Sequence, residues 1–465
     1  MVRIDSKMLI PVLALLLAIP ISANSAQTRW SGVSFAGTMA ADEDCPLEVE
    51  RERLTFSLGE FPQNHYFAAE EYLSYPGSVT AEYEFYNPAD YDVTATLVFP
   101  FGMLPDYAYS IYNDGGLEFA DDTARYGITV DGDPVKMTLR HTLSAPYAEF
   151  NLEYDLPRLI DGFAEDEFFT PDMPVHRLTY TVSGIPEEYR SATASFFWSG
   201  DRTETRVILE GQNGGSTLRG GVRSYLHVRN GDVIVLWLIG EYVPVTEWDL
   251  FENGSLETEI PGKVEMNDNT AISNESMTLR EFVTKDWKAE SGILETDWYN
   301  ASITRMNRFV TSSGLIIDFY SGRSLYQSLL RWYEYELTVP AGGRVVNAVS
   351  APIYPSINGD YEPPMYKYTY LLSPAQTWKR FGTLEVAVDT PHYLIESSAG
   401  EFSKTDGGYQ AKFDGLPAGE LVFSLSAEES PSQIIRGRQY LVYLIPMGAV
   451  LAGCILFVYA AKQGK

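Results

Sequence analysis

The feature that most restricts what this chain can become is an uncharged apolar segment, residues 440–461, near its C-terminal end. A helix rises about 1.5 Å per residue, so a segment of this length crosses a hydrocarbon core of about 30 Å. Tyr440, Tyr443 and Tyr459 lie near its ends, where amphipathic rings favour the membrane–water interface. Buried core helices are usually shorter, so the pattern predicts one transmembrane helix.

Residues 1–26 have the layout of a secretory signal peptide. Arg3 and Lys7 precede an apolar run at 8–21, and small residues follow it at 22–26. An uncleaved N-terminal anchor is the alternative. With cleavage, the chain from about residue 27 onward lies outside the cell, which predicts a single-pass protein of the cell membrane with its N-terminus outside.

The charge balance restricts the partners of the predicted exterior region. The chain has 34 basic and 63 acidic residues, for a net charge of −29. Six basic residues and one acidic residue lie in the terminal segments, which leaves the rest of the chain at −34. Such a field repels nucleic acid, so we expect no nucleic-acid partner. A solvated acidic surface explains the charge, and no carboxylate spacing supports a divalent-cation site.

Short alternating segments separated by turn residues predict a mainly β protein. Turn residues between 79–85 and 93–99 predict a hairpin, as do Asp131-Gly132 and Asn230-Gly231. Residues 340–343 predict a turn from the alternating segment 332–339 into 344–351. Residues 233–239 are apolar on both faces, which is typical of a strand covered on both sides. We expect two antiparallel β-sandwich domains.

In the middle of the chain, the spacing of apolar residues changes from the alternation of strands to helical spacing, which predicts two helices. Thr278-Leu279-Arg280-Glu281 has the form of a capping box. Apolar residues with helical spacing follow it, first Leu279, Phe282, Val283 and Trp287, then Tyr299, Ile303, Met306 and Val310. This helical pair is either a packing element between the sheets or a lid.

Together these segments predict an order of regions along the chain. They are a signal peptide (1–26), an N-terminal β-sandwich domain (27–250), a polar linker (251–275), the helical pair (276–313), a C-terminal β-sandwich domain (314–428), a stalk (429–439), the transmembrane helix (440–461) and a cytoplasmic tail (462–465).

Sequence motifs for catalysis are missing. The five histidines have no metal-ligand spacing, and the chain lacks a nucleophile elbow, a P-loop and a dinucleotide fingerprint. Asp131-Gly132-Asp133 could ligate calcium, but a turn explains it better. We therefore predict no metal site and no cofactor.

The aromatic content of 31 Tyr, 23 Phe and 8 Trp permits a ligand-binding interpretation. Exposed rings on a sheet or loop could stack on sugars, and the candidates are Tyr361, Tyr366, Tyr368, Tyr370 and Trp378. The alternative is that these rings are strand formers that pack against one another across strands.

Two stretches, Phe85-Tyr86-Asn87-Pro88 through 98–102 and Leu372-Ser373-Pro374 through 375–386, resemble parts of uncharacterised bacterial extracytoplasmic proteins. Those proteins combine a signal peptide with β-rich domains and often a single C-terminal span. The resemblance covers about a tenth of the chain. It implies a surface location and assigns no catalytic residue.

The leading hypothesis is a membrane-anchored, extracytoplasmic surface protein with a non-catalytic binding or scaffolding role. Its partner would be an envelope glycan or a membrane protein. The alternatives are an anchored carbohydrate-active hydrolase that uses Asp or Glu, whose two carboxyl groups would face each other across a cleft, and an accessory subunit of a membrane complex.

Overall fold

The computed structural model describes residues 34–36, 39–40, 45–61, 77–102, 125–144, 152–243, 247–267, 277–317, 325–326 and 328–434. Within these ranges no helix combines the length and the apolar character needed to cross a bilayer. The predicted signal peptide and the predicted transmembrane helix at 440–461 both lie outside them.

The described residues are mainly β, as predicted. The strands are β1 (Ser34–Ala36), β2 (Met39–Ala40), β3 (Glu48–Ser57), β4 (Ser78–Tyr86), β5 (Val93–Gly102), β6 (Gly127–Val130), β7 (Asp133–Pro134), β8 (Thr138–Leu143), β9 (Pro174–Ser183), β10 (Ala192–Trp198), β11 (Thr205–Leu209), β12 (Gly214–Leu218), β13 (Gly221–Val228), β14 (Val233–Gly240), β15 (Asp249–Glu252), β16 (Lys263–Met266), β17 (Met277–Thr278), β18 (Leu315–Ile316), β19 (Leu329–Val339), β20 (Arg344–Pro352), β21 (Ser356–Asn358), β22 (Tyr361–Glu362), β23 (Met365–Leu371), β24 (Phe381–Asp389), β25 (Tyr393–Ser397), β26 (Ser403–Thr405), β27 (Gly408–Asp414), β28 (Leu421–Ser426) and β29 (Ser432–Gln433). The α-helices are α1 (Leu152–Asp155), α2 (Leu279–Thr284) and α3 (Glu295–Phe309), and the 3-10 helices are Leu156–Arg158, Ala289–Ser291 and Ser373–Thr377.

The described strands form six sheets, which fall into two groups according to the part of the chain that supplies their strands. The first group contains an eight-stranded sheet (β26-β27-β24-β3-β4-β20-β6-β7), a four-stranded sheet (β2-β5-β19-β8), a five-stranded sheet (β1-β23-β28-β25, with β21 on β23) and the pair β22-β29. The second group contains a six-stranded sheet (β16-β9-β14-β11-β18, with β17 on β9) and a four-stranded sheet (β12-β13-β10-β15). Most pairs are antiparallel, but β1–β23, β24–β3 and β11–β18 are parallel.

The composition of the two groups differs from that of the two β-sandwich domains predicted from the sequence. β3, β4 and β5 pair with β24, β20 and β19, which follow them by more than 200 residues, so strands on both sides of the predicted linker share sheets. The second group is formed by residues 174–316 alone. The domain boundaries at 250, 276 and 314 therefore stay a prediction, while the pairing shows one group interrupted by the other.

Each group has its own apolar core. In the first group, alternate residues of the eight-stranded sheet pack against residues of the other two large sheets. In the second group, the six-stranded sheet packs one face on the sheet β12-β13-β10-β15 and the opposite face on α2 and α3. The covered strand predicted at 233–239 is confirmed, because β14 gives Leu236 to one core and Trp237 to the other. The helical pair is thus a packing layer on this sheet.

Two of the predicted hairpins are wrong, and the predicted turn at 340–343 also joins strands of different sheets. β4 and β5 lie in different sheets, as do β19 and β20, and β13 and β14. In each case the turn carries the chain from one sheet to the sheet facing it. Alternation buries one side of a strand in a hairpin and in a crossing between sheets alike, so the sequence pattern does not distinguish the two. The hairpin at Asp131-Gly132 is confirmed, since β6 pairs with β7 and both turn residues have positive φ, 52° and 86°.

Candidate functional site

The outer face of the sheet β12-β13-β10-β15 brings aromatic and basic side chains to the protein surface. Ala194 and Phe196 of β10, and Val222 and Leu226 of β13, point into the core. Their neighbours along each strand point the other way, because side chains alternate in a strand. We call this side of the sheet the Arg223 face, and it comprises Thr193, Ser195, Phe197, Ser216, Leu218, Arg223, Tyr225, His227, Asp249 and Phe251. Thr193, Ser195 and Phe251 are buried, so the solvent-accessible part of the face is formed by the other seven residues.

The strand register places these side chains in three rows across the sheet. One row is Ser216, Arg223 and Phe197. The next is Gly214, Tyr225, Ser195 and Asp249, and the third is His227, Thr193 and Phe251. Basic and aromatic side chains therefore alternate down the middle of the face.

Two glycines give the rings of this face their positions. A Cβ atom on Gly214 would lie 2.4 Å from the Tyr225 hydroxyl oxygen, and a Cβ on Gly221 would lie 2.5 Å from Cζ of Phe197. Each ring thus occupies the space that a side chain of the adjacent strand would otherwise fill. Phe197 nevertheless remains 44% exposed and Leu218 41% exposed, so an apolar surface faces the solvent here.

Arg223 is opposite Phe197 in the strand register and two residues before Tyr225 on β13. Its guanidinium carbon is 5.9 Å from the centre of the Phe251 ring, within the range of a cation–π contact. Its Nε atom is buried and has no hydrogen-bond partner among the described residues. Six other arginines form ion pairs with carboxylates, namely Arg51, Arg53, Arg140, Arg280, Arg344 and Arg380, whereas Arg223 forms none within the described ranges.

The chain around β12 and β13 is locally basic. Residues 211–231 contain Arg219, Arg223 and Arg229 and no Asp or Glu, so this segment carries +3 in a chain of −29. Arg219 and Arg229 are exposed at the two ends of β13. At the opposite edge of the sheet, Asp249 of β15 is exposed. The positive potential is therefore concentrated on the β12–β13 side of the face.

The aromatic residues singled out from the sequence lie elsewhere. Tyr366, Tyr368, Tyr370 and Trp378 are at most 6% exposed and belong to the core of the first group. Tyr361 is partly exposed on β22, opposite Gln433 of β29. Four of the five rings therefore present no surface to a sugar, and the cross-strand packing interpretation describes them. The five do not form one exposed platform.

One of these tyrosines belongs to a buried polar group instead. The Tyr370 hydroxyl donates to Oε1 of Glu52 at 3.0 Å, and the hydroxyl oxygens of Tyr83 and Tyr370 are 3.2 Å apart. Glu52 is fully buried, and burial raises its pKa to about 7 against the opposing effect of hydrogen bonds with Tyr83 and Tyr370. The protonated form is thus available near neutral pH, but no polymer can reach this carboxyl group.

A second buried polar group lies where the two groups of sheets meet. Nε of Arg140 lies 3.2 Å from one carboxylate oxygen of Asp297, and Nη1 contacts Glu334 at 2.9 Å and Asp161 at 3.1 Å. The backbone N–H of His141 donates to Asp297 at 2.7 Å. Burial raises the pKa of Asp297 to about 6, although the Arg140 charge acts to lower it. Asp297 is 2% exposed and fully engaged, which identifies a structural ion-pair network.

Sequence reasoning missed the Arg223 face for an identifiable reason. The tyrosine-rich segment around 361–378 permits an aromatic binding surface, but a row of rings on one side of a strand is equally typical of a core. The available signal was the combination of aromatic residues with an acid-free basic segment at 211–231 in a strongly acidic chain.

Comparisons with known proteins show no family for this chain and one weak structural similarity. No protein-family model matches the chain, and no curated protein matches it. Among solved structures, the chain is similar to a "putative nutrient binding protein" from Legionella pneumophila, with 9% sequence identity and a TM-score of 0.31, over 85% of this chain and 71% of that one. Within the described residues there is no group of three or more His, Cys, Asp or Glu side chains able to hold a metal ion.

Proposed function

We propose that this protein is a non-catalytic binding protein of the cell envelope that holds a glycan on the Arg223 face. The observation that carries the proposal is the exposure of Phe197 and Leu218 beside Arg223, which has no ion pair with any residue that the structure describes. Apolar rings gain from contacts that exclude water, whereas a guanidinium group needs a hydrogen-bond acceptor in place of the water that it loses. A surface that exposes both is therefore suited to a ligand with apolar faces and polar edges.

The most deeply buried carboxyl groups are not placed to hydrolyse a polymer. Among the described residues, the buried carboxyl side chains are Glu52, Asp155 and Asp297, each at most 2% exposed. A glycosidase needs two carboxyl groups that reach the glycosidic bond from either side. Glu52 and Asp297 instead contact protein groups, so neither is placed to act on a polymer.

The same proposal includes the location of the protein. The uncharged segment 440–461 would hold the chain in the cell membrane, and cleavage near residue 26 would leave the region that follows outside. In this arrangement the two groups of sheets form two β-sandwich bodies. The acidic net charge keeps such a body soluble among envelope polymers.

Binding of the full-length protein in detergent to purified envelope polysaccharides tests this function. Phe197→Ala should weaken binding about threefold to tenfold, since one aromatic contact contributes about 0.5–1.5 kcal/mol. Tyr91→Ala is the matched control, because Tyr91 is 59% exposed and lies in the first group of sheets. Equal binding by both variants, or release of sugars from the polymer, would contradict the proposal.

A further inference from the structure

We infer that the glycan held on the Arg223 face is a polyuronate, an acidic polysaccharide whose carboxylate groups are recognised by Arg223. This inference rests on the proposed binding function and adds the chemical class of the ligand. The alternatives on the same surface are a neutral glycan, a polyol phosphate and a single-stranded nucleic acid.

The charge of the surface favours an anionic ligand. Residues 211–231 carry three arginines and no acid, and Asp249 on the far edge strand is the acidic residue of the Arg223 face. The buried Nε of Arg223 has no hydrogen-bond partner within the described part of the chain. A partly buried guanidinium group without a counter-ion loses water contacts that a carboxylate would replace with two parallel hydrogen bonds. A neutral sugar has no negative charge to pair with the guanidinium group.

The rings beside Arg223 favour a sugar over a simple anion. Arg223 and Phe197 are opposite each other in the register, and Tyr225 follows Arg223 on the same side of β13. A ligand that places a carboxylate on Arg223 therefore lies against Phe197 or Tyr225 as well. A uronate residue satisfies both contacts, since its ring has an apolar face and its edge carries the carboxylate.

The total charge of the protein argues against dense polyanions. Charges on the protein surface act over about 10 Å at an ionic strength of 0.1 M, so the Arg223 guanidinium governs the contacts in its immediate surroundings. Beyond that distance the ligand meets a chain of −29. Each strand of a nucleic acid carries a phosphate about every 3.4 Å, so it is repelled more strongly than a polymer with one carboxylate per sugar. A polyol phosphate is distinguished from a polyuronate by the binding test.

The test measures binding of polygalacturonate oligomers to the full-length protein in detergent by calorimetry. Arg223→Gln should weaken binding about tenfold or more, because a charge-assisted bidentate contact is lost. Arg380→Gln removes the same charge from the first group of sheets and should have no effect. Arg223→Lys keeps the charge without the fork and should give an intermediate affinity that weakens as salt is raised.

The outcomes separate the ligand class from the function itself. Binding of neutral cello-oligosaccharides that depends on Phe197 but not on Arg223 would overturn the polyuronate inference and leave the binding function standing. Tighter binding of a polyol phosphate or of a DNA oligonucleotide than of polygalacturonate would also overturn it. If no substitution on the Arg223 face changes binding of any of these polymers, both the inference and the proposed function fail.

Discussion

The hydroxyl of Tyr370 donates a hydrogen bond to Oε1 of Glu52 over 3.0 Å, although the two residues are 318 positions apart in the chain. This contact joins β23 of the five-stranded sheet to β3 of the eight-stranded sheet. It crosses the core between the two sheets, where an ionised carboxylate is strongly disfavoured. Ionisation of Glu52 should therefore make the free energy of unfolding depend on pH.

Glu52→Gln should make the protein more stable at alkaline pH. Burial raises the folded-state pKa of Glu52 from 4.5 to about 7, so the folded state keeps a proton that the unfolded state releases between these values. Stability from this group is thus full below pH 4.5 and falls as pH rises to 7, by about 3 kcal/mol. Urea denaturation at pH 5 and pH 8 should show a gain for Glu52→Gln at pH 8 only. A uniform loss at both values would contradict this account.

Removal of Arg140 should leave Asp297 buried without its counter-ion. Arg140→Met is expected to lower the free energy of unfolding by about 3–5 kcal/mol. The double variant Arg140→Met/Asp297→Asn should lose less, because the uncompensated charge is gone. Asp161→Asn is the control, since Asp161 is 97% exposed and surface ion pairs contribute at most about 1 kcal/mol. Additive losses in the double variant would rule out coupling between Arg140 and Asp297.

Asn87 should be essential for the two turns that connect the facing sheets of the first group. Its buried amide donates to the backbone oxygens of Tyr91, Val339 and Pro340, and its carbonyl oxygen accepts from the N–H of Ala89. Asn87→Ala removes these bonds and leaves buried carbonyl groups unpaired, so we expect a loss of about 2–4 kcal/mol in denaturation experiments. Asp92→Ala, which removes one exposed bond to Ala341 in the same turns, should lose less than about 1 kcal/mol.

Thr278→Ala should loosen α2 locally. The Thr278 hydroxyl accepts from the N–H of Glu281 at 3.2 Å, and Glu281 accepts from the N–H of Thr278 at 2.7 Å, which completes the predicted capping box. Loss of this cap should cost about 1 kcal/mol. Amide hydrogen exchange should increase at Leu279–Thr284 and stay unchanged in β14, while Thr258→Ala, at an exposed residue outside any helix, should change neither. Unchanged exchange in α2 would show that packing alone holds the helix.

Local features were predicted well because they depend on neighbouring residues. The capping box at Thr278, the turn at Asp131-Gly132 and the covered strand at 233–239 each follow from the chemistry of a few consecutive positions. The choice of pairing partner was not predictable in the same way. Alternation along 79–85 shows that one side of the strand is buried, but it is silent on which other strand lies beside it.

The residues of the candidate site were likewise not predictable from local sequence patterns. Tyr366, Tyr368 and Tyr370 were grouped correctly on one side of a strand, but that side faces the core. Phe197 and Arg223 are 26 positions apart and come together only because β10 and β13 pair in a particular register.

The amino-acid sequence by itself determined that this protein is mainly β, strongly acidic and locally basic at 211–231, because composition and short-range patterns depend only on the order of residues. Only the tertiary structure decided which strands pair, which aromatic rings are buried and which ring lies opposite Arg223. These properties come from contacts between residues far apart in the chain, and the free energy of such contacts depends on how whole sheets pack.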